Sequence, residues 1–206
     1  MRIKICGLKY INNIKEVVKL KPDYIGFILY SGSKRYIVEQ LQLAIYLKSV
    51  KEIKKVGVFV NANIDEIIEK IQTYYLDIVQ LHGNETEAFC REINNYIPVI
   101  KAFQINEAFD FNSLIAYETA CTYFLFDTAS IGYGGSGQSF DWQLLNKYTL
   151  SKDYFLSGGI RLQSIERIKQ LNDSRLIGID INSLFETEPG LKDILKIKSL
   201  LHEIRN

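Results

Sequence analysis

A chain of 206 residues is long enough to bury a sizeable core and fits one large domain or two small ones. Its 47% apolar and 24% charged composition is that of a soluble globular protein, and a formal net charge of +1 gives no electrostatic case for nucleic acid or an anionic membrane as partner. Cys6, Cys90 and Cys121 are odd in number and follow neither a Cys-x-x-Cys nor a Cys/His ligand spacing, so they indicate neither a disulfide framework nor a zinc site. No apolar run approaches the ~20 residues of a membrane span, and the amino terminus lacks the regions of a signal peptide, so a cytoplasmic protein is expected.

Short β-branched runs follow one another at residues 2–6 (RIKIC), 24–29 (YIGFIL), 55–60 (KVGVFV), 77–82 (DIVQLH), 98–103 (PVIKAF), 123–127 (YFLFD), 153–157 (DYFLS) and 176–181 (LIGIDI). Amphipathic segments with apolar residues three and four apart lie between most of them, as at 12–20, 64–75 and 164–171, the last with Ser164 placed to cap it. Successive strands start 21 to 31 residues apart, the length of one βα unit, and no linker divides them. The expectation is α/β: a single (β/α)8 TIM barrel spanning 1–206, smaller than the ~250 residues typical of the class, with an open doubly wound sheet as the alternative. Either architecture puts its functional residues at the carboxyl ends of the strands.

Those ends carry Cys6-Gly7, Ser33-Lys34-Arg35, Asn61, Gln80-Leu-His82-Gly83, Asp127-Thr128, Ser157-Gly158-Gly159 and Asp180-Ile-Asn182-Ser183. Each has a bland reading: Cys6 as a small buried hydrophobe, Asp127 as a turn residue, His82 as a satisfied core imidazole. Their gathering at one rim argues for a site. Gly132, Gly134 and Gly137 satisfy G-x-G-x-x-G, but they lie past strand six and are followed by QSFDW rather than an apolar helix, so a dinucleotide is not expected there. That stretch, 132–138, reads instead as a mobile loop covering the rim. SGGI at 157–160 supplies the two glycines, Gly158 and Gly159, that let backbone amides close on a phosphate, the anion that barrel loops after strands seven and eight commonly hold.

Taken together, KICGL (4–8), GFILYSGSKRYI (26–37), VGVFVN (56–61), VQLHG (79–83), FLFDT (124–128), GGSGQSFDW (134–142), LSGGI (156–160) and PG-L-KD (189–193) resemble, in the same order and nearly end to end, phosphoribosylanthranilate isomerase of tryptophan biosynthesis. The resemblance implies a (β/α)8 barrel and an Amadori rearrangement of N-(5-phosphoribosyl)anthranilate, with no metal and no organic cofactor. It matches the family's general acid to Asp127, its general base to Cys6, and the arginine that engages the anthranilate part to Arg35. His82 and Asp180 match rim positions and are expected to line or orient the site. Chemically, the base needs a thiol pKa drawn down toward neutrality by cations or dipoles, and the acid needs a carboxyl pKa drawn up. The partner implied is a phosphosugar substrate, with no nucleic acid or membrane, and the chain is expected as monomer or homodimer.

One position departs from the family pattern. Where the family reads Asp-Val-Ser-Ser-Gly-Val-Glu, this chain has Asp180-Ile-Asn-Ser-Leu-Phe-Glu186, with Leu184 in place of a glycine beside the expected phosphate cradle. The cradle is expected from Gly158, Gly159, Ser183 and Leu184 amides with Asn182 close by, provided Leu184 takes a negative φ. Cys90 and Cys121 read as structural. The sister histidine-pathway isomerase looks like a twofold-repeated barrel with aspartate where this chain has Cys6, and no half-barrel repeat is visible. A non-catalytic sugar-phosphate-binding barrel should have lost Cys6 or Asp127, and neither is lost.

Overall fold

The computed structural model describes residues 1–38, 40–129 and 139–205. Eight parallel strands close into a barrel in sequence order: β1 (Arg2–Ile5), β2 (Tyr24–Ile28), β3 (Lys54–Phe59), β4 (Ile78–Leu81), β5 (Val99–Ile105), β6 (Tyr123–Thr128), β7 (Tyr154–Leu156) and β8 (Leu176–Ile181). Closure is made by β1 pairing with β8, Lys4 opposite Asp180 and Ile5 opposite Ile181, while its other edge pairs with β2. The open-sheet alternative is thereby excluded.

Side chains alternate across each strand, and the two faces separate into two apolar groups. Outward-facing Ile3, Ile5, Ile25, Phe27, Val79, Phe124, Phe126 and Ile179 join the helices in the larger core. Inward-facing Tyr24, Val56, Ile78, Ile100, Leu125 and Phe155 fill the barrel floor. The outer ring comprises α1 (Ile11–Lys19), α2 (Leu41–Ser49), α3 (Ile64–Tyr74), α4 (Glu87–Asn94), α5 (Ile165–Gln170) and α6 (Ile194–Arg205). Asn63 and Thr86 cap α3 and α4 by accepting from the amides of Glu66 and Phe89. Ser164 does not cap α5. It closes the preceding 3-10 turn, its Oγ accepting from the Arg161 amide at 3.1 Å. Among the described residues the crossovers after β5 and β6 hold 3-10 segments, Phe111–Tyr117 and Trp142–Lys147, each capped by an aspartate.

Several expected strands run one residue too far at their carboxyl ends. The ladders stop at Ile5, Leu81 and Leu156, leaving Cys6, His82 and Ser157 as the first residues beyond. Each still donates its amide to the neighbouring strand, at 2.8–2.9 Å, so their side chains keep the strand direction while standing at the rim. After β8 the chain makes a small antiparallel ribbon, β9 (Glu186–Glu188) and β10 (Leu191–Lys192), turned at Gly190 with φ +90°. Asn13 of α1 holds the ribbon through both backbone groups of Lys192, at 2.7 and 2.9 Å. No helix among the described residues is long and apolar enough to cross a membrane.

Candidate active site

The twofold alternation of each strand builds the site in layers. On β1 the inward residues run Arg2, Lys4, Cys6; on β4, Ile78, Gln80, His82; on β6, Tyr123, Leu125, Asp127; on β8, Gly178, Asp180, Asn182. Cys6, His82, Asp127 and Asn182 therefore share the rim layer. Lys4, Gln80 and Asp180 lie in the layer beneath, above the apolar floor.

Cys6 is buried, with 3% of its surface exposed. Gly26 on β2 gives it room, since a Cβ there would stand 2.8 Å from its Sγ. Gly7 then turns the chain out of the barrel at φ +73°, a conformation that favours glycine, and a side chain would collide with Asn182 and Arg35. Below the thiol, Lys4 Nζ donates to Asp180 Oδ1 at 3.0 Å, and its ammonium charge acts on the thiol above. Burial pushes the Cys6 thiol up; Lys4 and Lys192 oppose this and Asp180 adds to it. The expected fall toward neutrality is thus not the ligand-free state, because desolvation of the thiolate outweighs the two cations. Burial likewise raises Asp180, against Lys4. Removing either member of such a buried pair alone strands a charge, at about 3–5 kcal/mol; Asp180 is buried, with Oδ1 committed to Lys4.

Asp127 stands on β6, three strands from β1 around the barrel, and is 6% exposed. Its Oδ1 accepts from the Thr128 amide at 2.9 Å, and its Oδ2 lies 3.3 Å from His82 Nε2. His82 Nδ1 in turn meets Gln80 Nε2 at 2.8 Å. Gly158, at φ +82°, packs so closely that a Cβ would come within 2.6 Å of the Thr128 amide nitrogen and 2.9 Å of Asp127 Oδ1. Outward from His82 a groove of about 630 Å³ runs between the ends of β4 and β5, past the buried Lys101–Glu85 pair at 2.9 Å.

Arg35 is held by a partner the sequence reading does not single out. Glu186, on β9, takes Arg35 Nε at 3.0 Å and Nη2 at 2.7 Å, and also accepts from Lys192 Nζ at 2.7 Å. Burial pushes the Glu186 carboxyl up, but Arg35 and Lys192 outweigh it and hold it below the usual carboxylate range. Lys192 bonds Asn182 Oδ1 at 2.8 Å as well, which commits the Asn182 side chain to the protein. Glu186 and Lys192 both stand in recognisable sequence stretches, but residues two apart on a strand share a face, so strand period does not distinguish Glu186, whose side chain is buried, from exposed Glu188.

Gly158 and Gly159 both have positive φ, and Ser183 and Leu184 begin a 3-10 turn, Ser183–Phe185, whose first amides lack intrahelical acceptors. Leu184 is not among the described non-glycine residues with positive φ, and its side chain packs against the core. The glycine-rich stretch 132–138 lies outside the described residues. Among the described residues no group of three or more His, Cys, Asp or Glu converges as a metal site requires.

With this geometry in place, similarity to known proteins is informative. The family model for N-(5'phosphoribosyl)anthranilate (PRA) isomerase matches residues 3–203. The N-(5'-phosphoribosyl)anthranilate isomerase of Parabacteroides distasonis is 46% identical, over 99% of this chain and 93% of its own length. The crystal structure of the Thermus thermophilus phosphoribosyl anthranilate isomerase superposes with a TM-score of 0.88 at 26% identity, covering 100% of this chain and 98% of that one. A phosphoribosyl anthranilate isomerase crystallised with reduced 1-(o-carboxyphenylamino)-1-deoxyribulose 5-phosphate gives 0.83 at 28%, with coverage of 100% and 98%. A family model matched over residues 3–203, together with 46% identity to a relative over 99% of the chain, makes this chain a member of the PRA isomerase family.

Proposed function

We propose that the chain, working as a single barrel domain in the cytoplasm, converts N-(5-phosphoribosyl)anthranilate to 1-(2-carboxyphenylamino)-1-deoxyribulose 5-phosphate, with Asp127 as general acid and Cys6 as general base. The observation that carries this reading is one buried carboxyl and one buried thiol on the same rim layer, three strands apart. The Asp127 proton passes to the ribose ring oxygen, the C–O bond breaks, and the sugar opens to a protonated Schiff base. Cys6 then takes the C2′ proton, and the resulting enol-amine tautomerises to the ketone. Acid and base must stand on different sides of the sugar, because the ring oxygen and the C2′ hydrogen do. The base form is a thiolate, which the Lys4 and Lys192 ammonium groups stabilise against part of the penalty of its burial. The test is direct: purified protein added to phosphoribosylanthranilate should abolish that substrate's fluorescence, and no loss of fluorescence would end the assignment.

Arg35 is assigned to the anthranilate carboxylate. Glu186 takes Nε–H and one Nη2–H, so the two Nη1–H groups and the second Nη2–H are left as donors for substrate. A charged hydrogen bond of this kind contributes about 1.5–3 kcal/mol, so Arg35→Ala should raise KM roughly 10- to 150-fold. A substrate analogue lacking the carboxylate should show almost no difference between variant and parent; an equal loss with the analogue refutes the pairing.

The phosphate is assigned to backbone amides of Gly158, Gly159, Ser183 and Leu184, with Asn182 shaping the turn through Lys192. An amide donor does not depend on its own side chain, and Leu184 needs no left-handed conformation. Leu184→Gly should therefore change KM by less than about threefold, well short of the ~1.4 kcal/mol of a tenfold change. A tenfold fall in KM would mean that leucine distorts the cradle.

A further inference from the structure

The Gln80–His82–Asp127 chain has a direction. The Gln80 amide nitrogen, 2.8 Å from His82 Nδ1, can only donate. Nδ1 is then the bare acceptor of the ring, and the ring proton sits on Nε2, the atom facing Asp127 Oδ2 at 3.3 Å. In the opposite tautomer a lone pair would face the carboxyl group, an attractive arrangement only if the Asp127 proton were bonded to the imidazole instead of the sugar. The Nε2 contact is not yet aligned as a hydrogen bond. Catalytic contacts of this kind are commonly long before substrate binds and tighten afterwards.

Packing does not explain Gln80. It is 1% exposed inside the barrel, and its Oε1 is buried without a hydrogen-bond partner. An orphaned buried oxygen is destabilising, and a leucine of similar volume would avoid it. What the amide does supply is a donor on His82.

We propose that Gln80 is a positioning residue for the general acid: its amide N–H fixes His82 with the ring proton on Nε2, so that the ring donates to Asp127 and the carboxyl proton goes to the sugar. The proposal rests on the reading of Asp127 as the acid. During ring opening the Asp127 O–H bond breaks, its electron pair stays on the carboxylate, and the proton joins the ribose oxygen. His82 keeps its own proton and strengthens its donation as the carboxylate charge appears.

The test combines a spectroscopic readout with a reversal of polarity. Nitrogen-15 shifts of the two histidines, distinguished with a His202→Gln variant, should show His82 protonated at Nε2 and bare at Nδ1. Gln80→Leu removes the donor, and Gln80→Glu keeps the shape and, in its ionised form, presents only acceptors to Nδ1. Each should lower kcat about tenfold with KM within twofold, and Gln80→Leu should melt no lower than the parent. His82 protonated at Nδ1 in the parent, or either variant within twofold of the parental kcat, overturns the proposal. Should Gln80→Leu not fold, the parental shifts and Gln80→Glu still decide. Asp127→Asn measured alongside separates the two levels: retained turnover there defeats the acid assignment, whereas a dead Asp127→Asn beside normal Gln80 variants defeats only the tautomer lock.

Discussion

Cys6→Ala is expected to fold normally and to lose turnover by at least ~10²–10⁴-fold, the usual contribution of a general base. The fold should hold because the change removes one sulfur atom from a site where Lys4 keeps its 3.0 Å bond to Asp180, so no buried charge is stranded. The pH dependence follows from the direction of the thiol's shift. Burial raises the Cys6 pKa, and the base form is the deprotonated one, so kcat/KM should still be climbing at pH values above the ordinary thiol pKa of about 8.5. That ascending limb should vanish in Cys6→Ser, whose hydroxyl does not ionise in the accessible range. A folded Cys6→Ala protein with near-parental kcat would remove Cys6 from the mechanism.

The barrel is legible in the sequence because buried parallel strands write themselves as continuous β-branched runs and because the runs recur at βα spacing. The strand ends were less so. RIKIC and DIVQLH read as unbroken strands, yet the ladder stops one residue short of Cys6 and of His82. What ends β1 is the turn at Gly7, and what ends β4 is the approach of Asn61 to Gly83, neither of which a local pattern reports. Ser164 illustrates the same limit: a serine before an apolar periodic run is a sound cap signal, but a 3-10 turn ahead of it claimed the hydroxyl.

In the site, the rim residues, Gln80 and Asp180 are visible as polar residues at strand ends, whereas the supporting roles of Lys4, Gln80 and Glu186 are not. Lys4 and Gln80 each lie two residues before a rim residue, so the strand period alone places them inside the barrel beneath Cys6 and His82. Recognising them requires treating a charged or amide residue in an apolar strand as an inward group with a partner, since few such groups are buried unpaired. Glu186 is harder, because its partners Arg35 and Lys192 stand 151 residues before it and six after, brought together only by barrel closure and the terminal ribbon. The sequence also suggested a thiol already lowered toward neutrality. Counting cations at the rim is possible from sequence; weighing them against complete burial is not.

Asp127→Asn should leave the barrel and substrate affinity nearly intact while lowering kcat at least ~10²-fold, because the amide is close in shape but carries no transferable acidic proton. The local geometry sharpens this. Asp127 offers one oxygen to the Thr128 amide at 2.9 Å and the other to His82 at 3.3 Å. An asparagine has a single oxygen, so its NH2 must face one of those groups, and the wall made by Gly158 leaves the side chain little room to turn away. The stronger, backbone contact should keep the oxygen, leaving the NH2 toward His82. The kinetic signature distinguishes acid from base. With ring opening slowed, removal of the C2′ proton is no longer limiting, so substrate deuterated at C2′ should turn over as fast as the unlabelled compound in Asp127→Asn. In a Cys6 variant with residual activity, the same label should slow turnover. A large deuterium effect in Asp127→Asn, or a KM raised tenfold with kcat unchanged, would make Asp127 a group that positions the sugar and place the acid elsewhere on the rim.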